Sequence, residues 1–149
     1  MRSLNVSVVV QLAALGCFAM AGCSGDKNTY YNVSGTVTYD GNPVPKGTIQ
    51  FLPDATKQNA GPAGFANIEN GQFDTKLLGK GTTGGAYYAV VNGFDGQADP
   101  GNELPLGKPL FTDYRISVDL PKSDTTQSFE ITAAAVKAAQ QKTIAPSEP

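Results

Sequence analysis

Histidine and tryptophan are absent from the 149-residue sequence, and cysteine occurs only twice, as Cys17 and Cys23. Without histidine, Ser-His-Asp and Cys-His catalysis are excluded, together with the usual zinc sites. Basic residues are also few, because 11 Lys and Arg stand against 13 Asp and Glu for a net charge of −2. No basic cluster exists to neutralise phosphates, so we expect no nucleic-acid partner.

Long apolar runs are scarce, and the clearest one lies at the N-terminus. Residues 8–21 are mainly apolar and follow Arg2, the positive residue typical of a signal peptide. As a helix this run would span roughly 21 Å, which is shorter than a hydrocarbon core of about 30 Å. The pattern therefore predicts an N-terminal signal helix over residues 1–22, not a membrane span.

The residues that close this signal resemble the bacterial lipobox. Met20-Ala21-Gly22-Cys23 supplies an aliphatic residue, two small residues and a cysteine whose thiol would accept a diacylglycerol, with Met20 where leucine is more usual. Cleavage before Cys23 would remove Cys17 and leave one thiol, so no internal disulfide can form. Attached acyl chains would provide the membrane anchor. Ordinary secretory cleavage after Ala21 is the alternative.

The location expected from this motif is the bacterial cell envelope. Ser24 follows the candidate lipid-bearing cysteine, which resembles the outer-membrane sorting signal of well-studied bacteria. Removing residues 1–22 also removes Arg2, so the exported chain would be slightly more acidic. Residues 24–29 are small and polar, and residues 23–30 are predicted to be a tether.

From residue 31 the sequence takes on the two-residue period of β-strands. Predicted strands cover residues 33–39, 48–52, 62–68, 72–77, 87–94, 115–120 and 127–132. Asn70-Gly71, between the third and fourth, is a strong hairpin signal because both residues tolerate positive φ. Seven short strands separated by turns predict an all-β domain, a sandwich spanning residues 31–133.

The alternation also predicts which side chains face the core. The expected inward residues are Val33, Val37, Ile49, Phe51, Ile68, Phe73, Tyr88, Val90, Ile116, Val118, Phe129 and Ile131. Two stretches do not fit strands. Residues 95–108 form one long polar loop, and residues 134–149 are predicted to be a flexible tail with at most a helical turn or two.

The long loop holds the best candidate for a metal site. Asp95, Asp99 and Glu103, with two amides between them, can offer oxygen ligands to calcium, a hard cation. It is not an EF-hand loop, because Pro100 stands where the glycine of the sharp turn would be and the spacing to Glu103 is short. A plain solvated loop is the simpler interpretation. No other cofactor is expected.

Two further patterns have simple structural interpretations. The glycine-rich run 79–85 lacks the residue order of a phosphate-binding loop and is expected to be a turn. Five tyrosines can form a carbohydrate or peptide surface, although packing in the core and on the sheet is the simpler account. They are Tyr30, Tyr31, Tyr87, Tyr88 and Tyr114.

Residues 33–51, VSGTVTYDGNPVPKGTIQF, resemble the opening of carboxypeptidase regulatory-like domains. Residues 70–73 and 111–114 also match that pattern, and the resemblance covers roughly residues 31–133. It implies a transthyretin-like (prealbumin-like) fold, a seven-stranded Greek-key β-sandwich. More narrowly, the chain resembles the small planctomycete lipoproteins that carry such a domain behind a lipobox. The family brings no catalytic residues to transfer.

These features predict a non-catalytic, lipid-anchored protein of the cell envelope. Its membrane partner would be reached through the N-terminal lipid, and its β-sandwich would bind or scaffold an envelope protein or glycan. The alternative is a carboxylate-dependent hydrolase of envelope polysaccharide, with or without assistance from calcium. Most acids lie in turns or at outward strand positions, as Asp40 and Asp119 do, which favours solvated surface charge. A purely structural envelope component is a third possibility.

Overall fold

The computed structural model describes residues 29–144, which are mainly antiparallel β-sheet with one helix at the C-terminal end. The all-β prediction is therefore confirmed for this part of the chain. The predicted signal helix over residues 1–22, Cys23 and the last five residues lie outside the described residues.

All seven predicted strands are present, and a short eighth follows the first. The strands are β1 Val33–Tyr39, β2 Asn42–Pro43, β3 Lys46–Pro53, β4 Gly64–Glu69, β5 Gln72–Asp74, β6 Gly85–Phe94, β7 Pro109–Leu120 and β8 Thr125–Ile131. The helix, α1, spans Ala133–Ile144. Two hairpins turn on residues with positive φ, at Asp40-Gly41 and at Asn70-Gly71. The Asn-Gly hairpin was predicted and is confirmed.

The strands follow one another in the order β8, β1, β5, β4, β3, β6, β7, with β2 beside the end of β1. Every pairing is antiparallel except that of β1 with β8, which run parallel over their full seven residues. Because β5 and β2 pair with one side of β1, β8 occupies the other side. Among the described residues, β7 and β8 are thus the two edges.

The path of strands curves so that distant members meet across a shared core. Phe51 of β3, Phe73 of β5 and Phe129 of β8 pack against one another, with ring centroids 6.0 to 6.4 Å apart. Aromatic rings at these separations contribute both buried area and a favourable edge or offset geometry. The buried cluster extends from this trio through Val33, Val37, Ile49 and Ile68 to Val91 and Ile131.

The predicted inward face of β6 is wrong. Tyr87, Ala89 and Val91 belong to the core, whereas Tyr88 is half-buried on the opposite face and Val90, although buried, lies outside the core cluster. Residues 86–91 are apolar on both faces, so alternation cannot identify the inner one. Pairing with β3 decides it, because Ala89 is opposite Phe51 and Val91 is opposite Ile49.

A bulge in β7 explains two core residues that the sequence pattern missed or misplaced. Asp113 has φ +52°, and its backbone N–H donates to Oδ1 of Asn92 at 2.9 Å. The extra residue lets Phe111 and Tyr114 pack on the same side of the sheet, with centroids 6.3 Å apart. Phe111 is buried in the core, which a strand predicted to begin at residue 115 could not include.

The predicted strand 72–77 ends three residues early. Asp74 accepts a hydrogen bond from the backbone N–H of Lys76 at 2.8 Å, which caps a 3₁₀ turn over Thr75–Leu78. Gly79 closes the turn in the left-handed conformation, and its N–H donates to the carbonyl of Lys76. Leu77 is therefore exposed on a turn and does not continue the strand.

The C-terminal segment is more ordered than the predicted helical turn or two and tail. α1 begins after Thr132, whose hydroxyl accepts from the N–H of Ala135 at 3.2 Å. Asp40 accepts from the N–H of Ala133 at 2.9 Å, and Val136 is only 7% exposed in the core cluster. One valine and two caps hold the start of the helix, although its composition offers little apolar surface.

The parallel pair β1–β8 requires a glycine at position 35. Gly35 has φ +152°, and a Cβ built on it would lie 1.7 Å from the carbonyl oxygen of Gln127 on β8. No side chain can be accommodated there without separating the strands. Gly41, in the first hairpin, also has positive φ but has no atom within 4 Å of an added Cβ.

We therefore expect Gly35→Ala to destabilise the domain by roughly 3–5 kcal/mol, the range of severe backbone and packing disruptions. Gly41→Ala is the matched control and should cost only about 1 kcal/mol, the conformational penalty of a left-handed residue. Chemical denaturation of both variants measures the two free energies of unfolding. Equal losses would contradict the assigned β1–β8 contact.

Candidate functional site

The three candidate calcium ligands lie in the loop that joins β6 to β7, but Asp95 serves the loop's own backbone. Its Oδ1 accepts hydrogen bonds from the N–H groups of Gln97 at 2.9 Å and Lys108 at 3.0 Å. The backbone N–H of Asp95 also donates to the carbonyl of Lys108 at 3.0 Å. This carboxylate therefore closes the base of the loop.

Asp99 and Glu103 do not join Asp95 in a ligand cluster. Asp99 accepts from the side-chain amide of Asn102 at 2.8 Å, and its backbone exchanges two hydrogen bonds with Leu104. Glu103 is exposed, with φ +58°. Between residues 29 and 144, no three Cys, Asp or Glu side chains come together to hold a metal ion. Calcium binding remains a prediction from the sequence that this geometry does not favour.

The five tyrosines do not form one surface. Tyr87 is buried, and its hydroxyl donates to the carbonyl of Pro62 at 3.1 Å. Tyr114 packs inward against Phe111, while Tyr88 lies on the opposite face of the sheet. Tyr30 alone among the five is strongly exposed. Structural packing accounts for most of the set.

The glycine-rich run 79–85 belongs to the connection between β5 and β6, which holds the start of the domain in place. Thr82 and Tyr31 exchange two backbone hydrogen bonds of 2.7 and 2.9 Å. Thr75, at the other end of the connection, accepts through its hydroxyl from the N–H of Val33 at 2.9 Å. The run is a structural turn that fastens residues 31–33.

The most distinctive surface of the described chain lies at the end of the domain where residues 31–33 are fastened. Leu77 is 81% exposed and Leu78 is 44% exposed, although both are large apolar side chains. They border an open groove of about 530 Å³ whose floor includes Phe73. The sequence pattern does not predict this exposure, because it places Leu77 in a strand. The signal was available, because Asp74 can cap a turn and Gly79 can end one.

The first strand is secured at this end by a carboxylate. Asp124 accepts from the backbone N–H of Asn32 at 2.8 Å and from its side-chain amide at 3.3 Å. The backbone hydrogen bond from Asn32 is the main reason that the pKa of Asp124 lies below its ordinary value. The side-chain bond and the positive charge of Lys76 lower it further, against a smaller opposing effect of desolvation.

Asp54 likewise accepts hydrogen bonds that fix the backbone, here at the end of β3. It is 3% exposed, and its Oδ1 accepts from the hydroxyl and the backbone N–H of Thr56. The hydroxyl of Thr56 is the largest cause of its lowered pKa, followed by an opposing effect of desolvation and a further hydrogen bond from Tyr88. The carboxylate is therefore committed to a turn and is not a candidate acid or base.

Cys23, the predicted lipidation site, lies outside the described residues, so its lipidation stays a prediction. In the described part of the chain, no helix is both long enough and apolar enough to cross a bilayer. Comparison with known proteins found no similarity, since no family model, curated protein or solved structure matches the chain.

Two buried threonines provide a matched test of the hydrogen bonds that fasten residues 31–33. Thr75 and Thr82 are both fully buried, but the hydroxyl of Thr82 has no hydrogen-bond partner within residues 29–144. Thr75→Val should cost about 1–3 kcal/mol because it leaves the N–H of Val33 unpaired. Thr82→Val should stabilise the fold by about 1 kcal/mol because it removes an unpaired hydroxyl. Denaturant titration of both variants measures the two changes in the free energy of unfolding. Changes of the same sign would contradict the assigned hydrogen bonding of the two threonines.

The lowered pKa of Asp124 predicts a loss of stability in acid. Because the folded pKa lies below the ordinary value of 3.8, the contribution is present above that pH and disappears as the pH falls through the folded value. Asp124→Asn should therefore lose less stability than the native chain between neutral and strongly acidic pH. Asp119→Asn removes one charge at an exposed position of β7 and is the control. Identical acid profiles for the two variants would contradict the assignment.

Proposed function

We propose that this chain is a lipid-anchored protein of the bacterial cell envelope whose β-domain acts by binding or scaffolding and not by catalysis. The observation that carries the proposal is the position of Cys23. It is the only thiol after the apolar signal segment, it stands at the lipobox position, and it precedes the first paired residue, Tyr31, by eight positions. A lipid there would leave the whole β-domain outside the membrane.

We also propose that the domain is of the carboxypeptidase regulatory-like type, with a transthyretin-like Greek-key sandwich. Its support is the sequence pattern of residues 33–51, which corresponds to β1, β2 and most of β3. Gly35, within that pattern, occupies a position where no side chain fits. The contacts among Phe51, Phe73 and Phe129 across the core are consistent with two facing layers.

A non-catalytic role is favoured by what the carboxylates do. Asp54, Asp74, Asp95 and Asp124 each accept backbone hydrogen bonds that close turns or hold strand ends. These groups are already engaged in the fold, and their positions do not suggest an acid–base pair flanking a substrate. No observation favours the polysaccharide hydrolase over the binding module.

The edge strand β8 offers one route for binding a partner. It pairs with β1 in unbroken register over residues 125–131, and the described residues contain no strand on its other side. Thr126, Ser128 and Glu130 are exposed along it. The other edge, β7, begins with a proline and contains the bulge at Asp113, both of which hinder strand addition. β8 is thus the more suitable edge for an envelope protein that adds a strand.

The first experiment is the intact mass of the chain extracted in detergent from bacterial membranes. We expect a mature chain that begins at Cys23 and carries the added mass of acyl groups. Cys23→Ala should abolish the added mass, since the thiol that accepts the acyl-bearing group is lost. Cys17→Ala is the matched control, because this thiol lies in the segment to be removed, and it should leave the lipidated mass unchanged. A native mature chain without acyl mass would overturn the proposal.

A further inference from the structure

We propose that the end of the domain nearest Cys23 rests in the headgroup region of the membrane that holds the lipid, with Leu77 and Leu78 inserted. This inference depends on the proposed function, because the anchor brings the domain to that surface. We call this end the anchor-proximal surface and define it by Tyr30, Lys76, Leu77, Leu78 and Lys80.

The backbone pairings place these residues together. Tyr31 is paired with Thr82, and the N–H of Val33 is bonded to Thr75, so residues 30–33 lie against both ends of the segment that carries the leucines. The N–H of Lys80 also donates to the carbonyl of Thr75 at 3.1 Å, which closes the segment into a compact turn. The chain therefore enters the domain directly beside Leu77 and Leu78.

The leucines are held outward by the turn itself. The carboxylate of Asp74 caps its start and the left-handed Gly79 ends it, so both flanking hydrogen bonds favour a conformation that exposes Leu77. Tyr30, nearby, is 57% exposed. Apolar side chains presented together on a rigid turn mark an interaction surface, and tyrosine is a residue favoured at membrane interfaces.

The length of the chain before the domain limits which end can face the membrane. From Cys23 to Tyr30 are seven residues, which span at most about 25 Å when fully extended. β7, the longest strand, has 12 residues and extends for roughly 40 Å. In an inverted orientation the entry point would stand about a strand length from the bilayer, beyond the reach of the tether. The anchor-proximal surface must stay near the lipid.

The charges beside the leucines suit a phospholipid surface. Lys76 and Lys80 flank them in sequence, and in the described chain neither forms an ion pair, since Lys46–Glu69 at 3.0 Å is the pair found there. The carboxylates of Asp74 and Asp124 also lie at this end, but both are engaged by backbone N–H groups that donate to them. Lysines near an anionic headgroup layer are attracted to it, while their stems can lie along the apolar phase. The loop at the far end of the sheet, 95–108, instead carries Asp95, Asp99 and Glu103 against Lys108.

Depth measurement in vesicles tests the orientation. The lipidated full chain, bearing Leu77→Cys or Leu106→Cys, is labelled with an environment-sensitive thiol probe and reconstituted in vesicles of phosphatidylethanolamine and phosphatidylglycerol. A mature chain whose Cys23 is acylated offers no other thiol for labelling. Leu106 is the control, because it is 37% exposed in the loop at the opposite end. We expect nitroxide headgroup lipids to quench the probe at position 77 several-fold more strongly than at position 106.

A second pair of variants separates insertion from mere proximity. Adding Leu78→Asp to the Leu77→Cys chain should reduce the quenching at position 77, whereas adding Leu106→Asp should leave it unchanged. Equal quenching at positions 77 and 106, or no effect of Leu78→Asp, would overturn the inference. An unquenched probe at position 77 would also overturn the inference. The groove beside Phe73 would then be assigned to a peptide partner instead of the membrane.

The intact mass of each sample distinguishes the two possible failures. An acylated chain with equal quenching at both positions refutes the orientation and leaves the lipid anchor standing. A mature chain without acyl mass refutes the proposed function, and the orientation fails with it because the tether then has no fixed end.

Discussion

The parallel contact between β1 and β8 is the constraint on which the rest of the domain depends. It joins the first strand to the last across 92 residues, as in the hydrogen bond from the hydroxyl of Thr36 to that of Ser128 at 3.1 Å. It also brings Phe129 onto Phe51 and Phe73, so the packing at the centre of the core requires it. The missing side chain of Gly35 allows the two backbones to approach.

Around this pairing, short polar side chains bind backbone N–H groups at the ends of the strands and of α1. Thr75 holds the N–H of Val33, Asp124 holds that of Asn32, and Asp40 holds that of Ala133. Each contact joins residues far apart in the chain, and each satisfies a backbone group that pairing alone leaves open. The anchor-proximal surface is a product of this arrangement, because the segment fastening residues 31–33 also presents Leu77 and Leu78.

The sequence was sufficient to predict the elements whose signals are local. Strict alternation located β1, and Asn70-Gly71 located a hairpin, since both depend on neighbouring residues only. It was insufficient where tertiary context decides. The inner face of β6 is set by pairing with β3, and the partner of β1 lies at the other end of the chain. The length of α1 likewise depends on Val136 reaching a core formed by distant strands.

The candidate site shows the same division. The sequence groups Asp95, Asp99 and Glu103 because they are close along the chain. Closeness along a loop does not make side chains converge, and the carboxylate of Asp95 binds backbone N–H groups of its own loop. The apolar character of Leu77 predicts a strand, whereas the capping carboxylate of Asp74 ends that strand. The prediction of lipidation at Cys23 depends on a chemical motif, which can be recognised in the sequence without knowledge of the fold.

The order of the strands has a consequence for export. A chain that crosses a membrane from its N-terminus delivers β1 first and β8 last, so β1 cannot complete its outer pairing until residues 125–131 have arrived. Contacts between residues so distant in sequence form late, because the intervening chain must first be brought together. For a chain exported as we propose, the topology postpones closure of the core until translocation is nearly finished, when a lipid at Cys23 would already hold the other end of the chain at the bilayer.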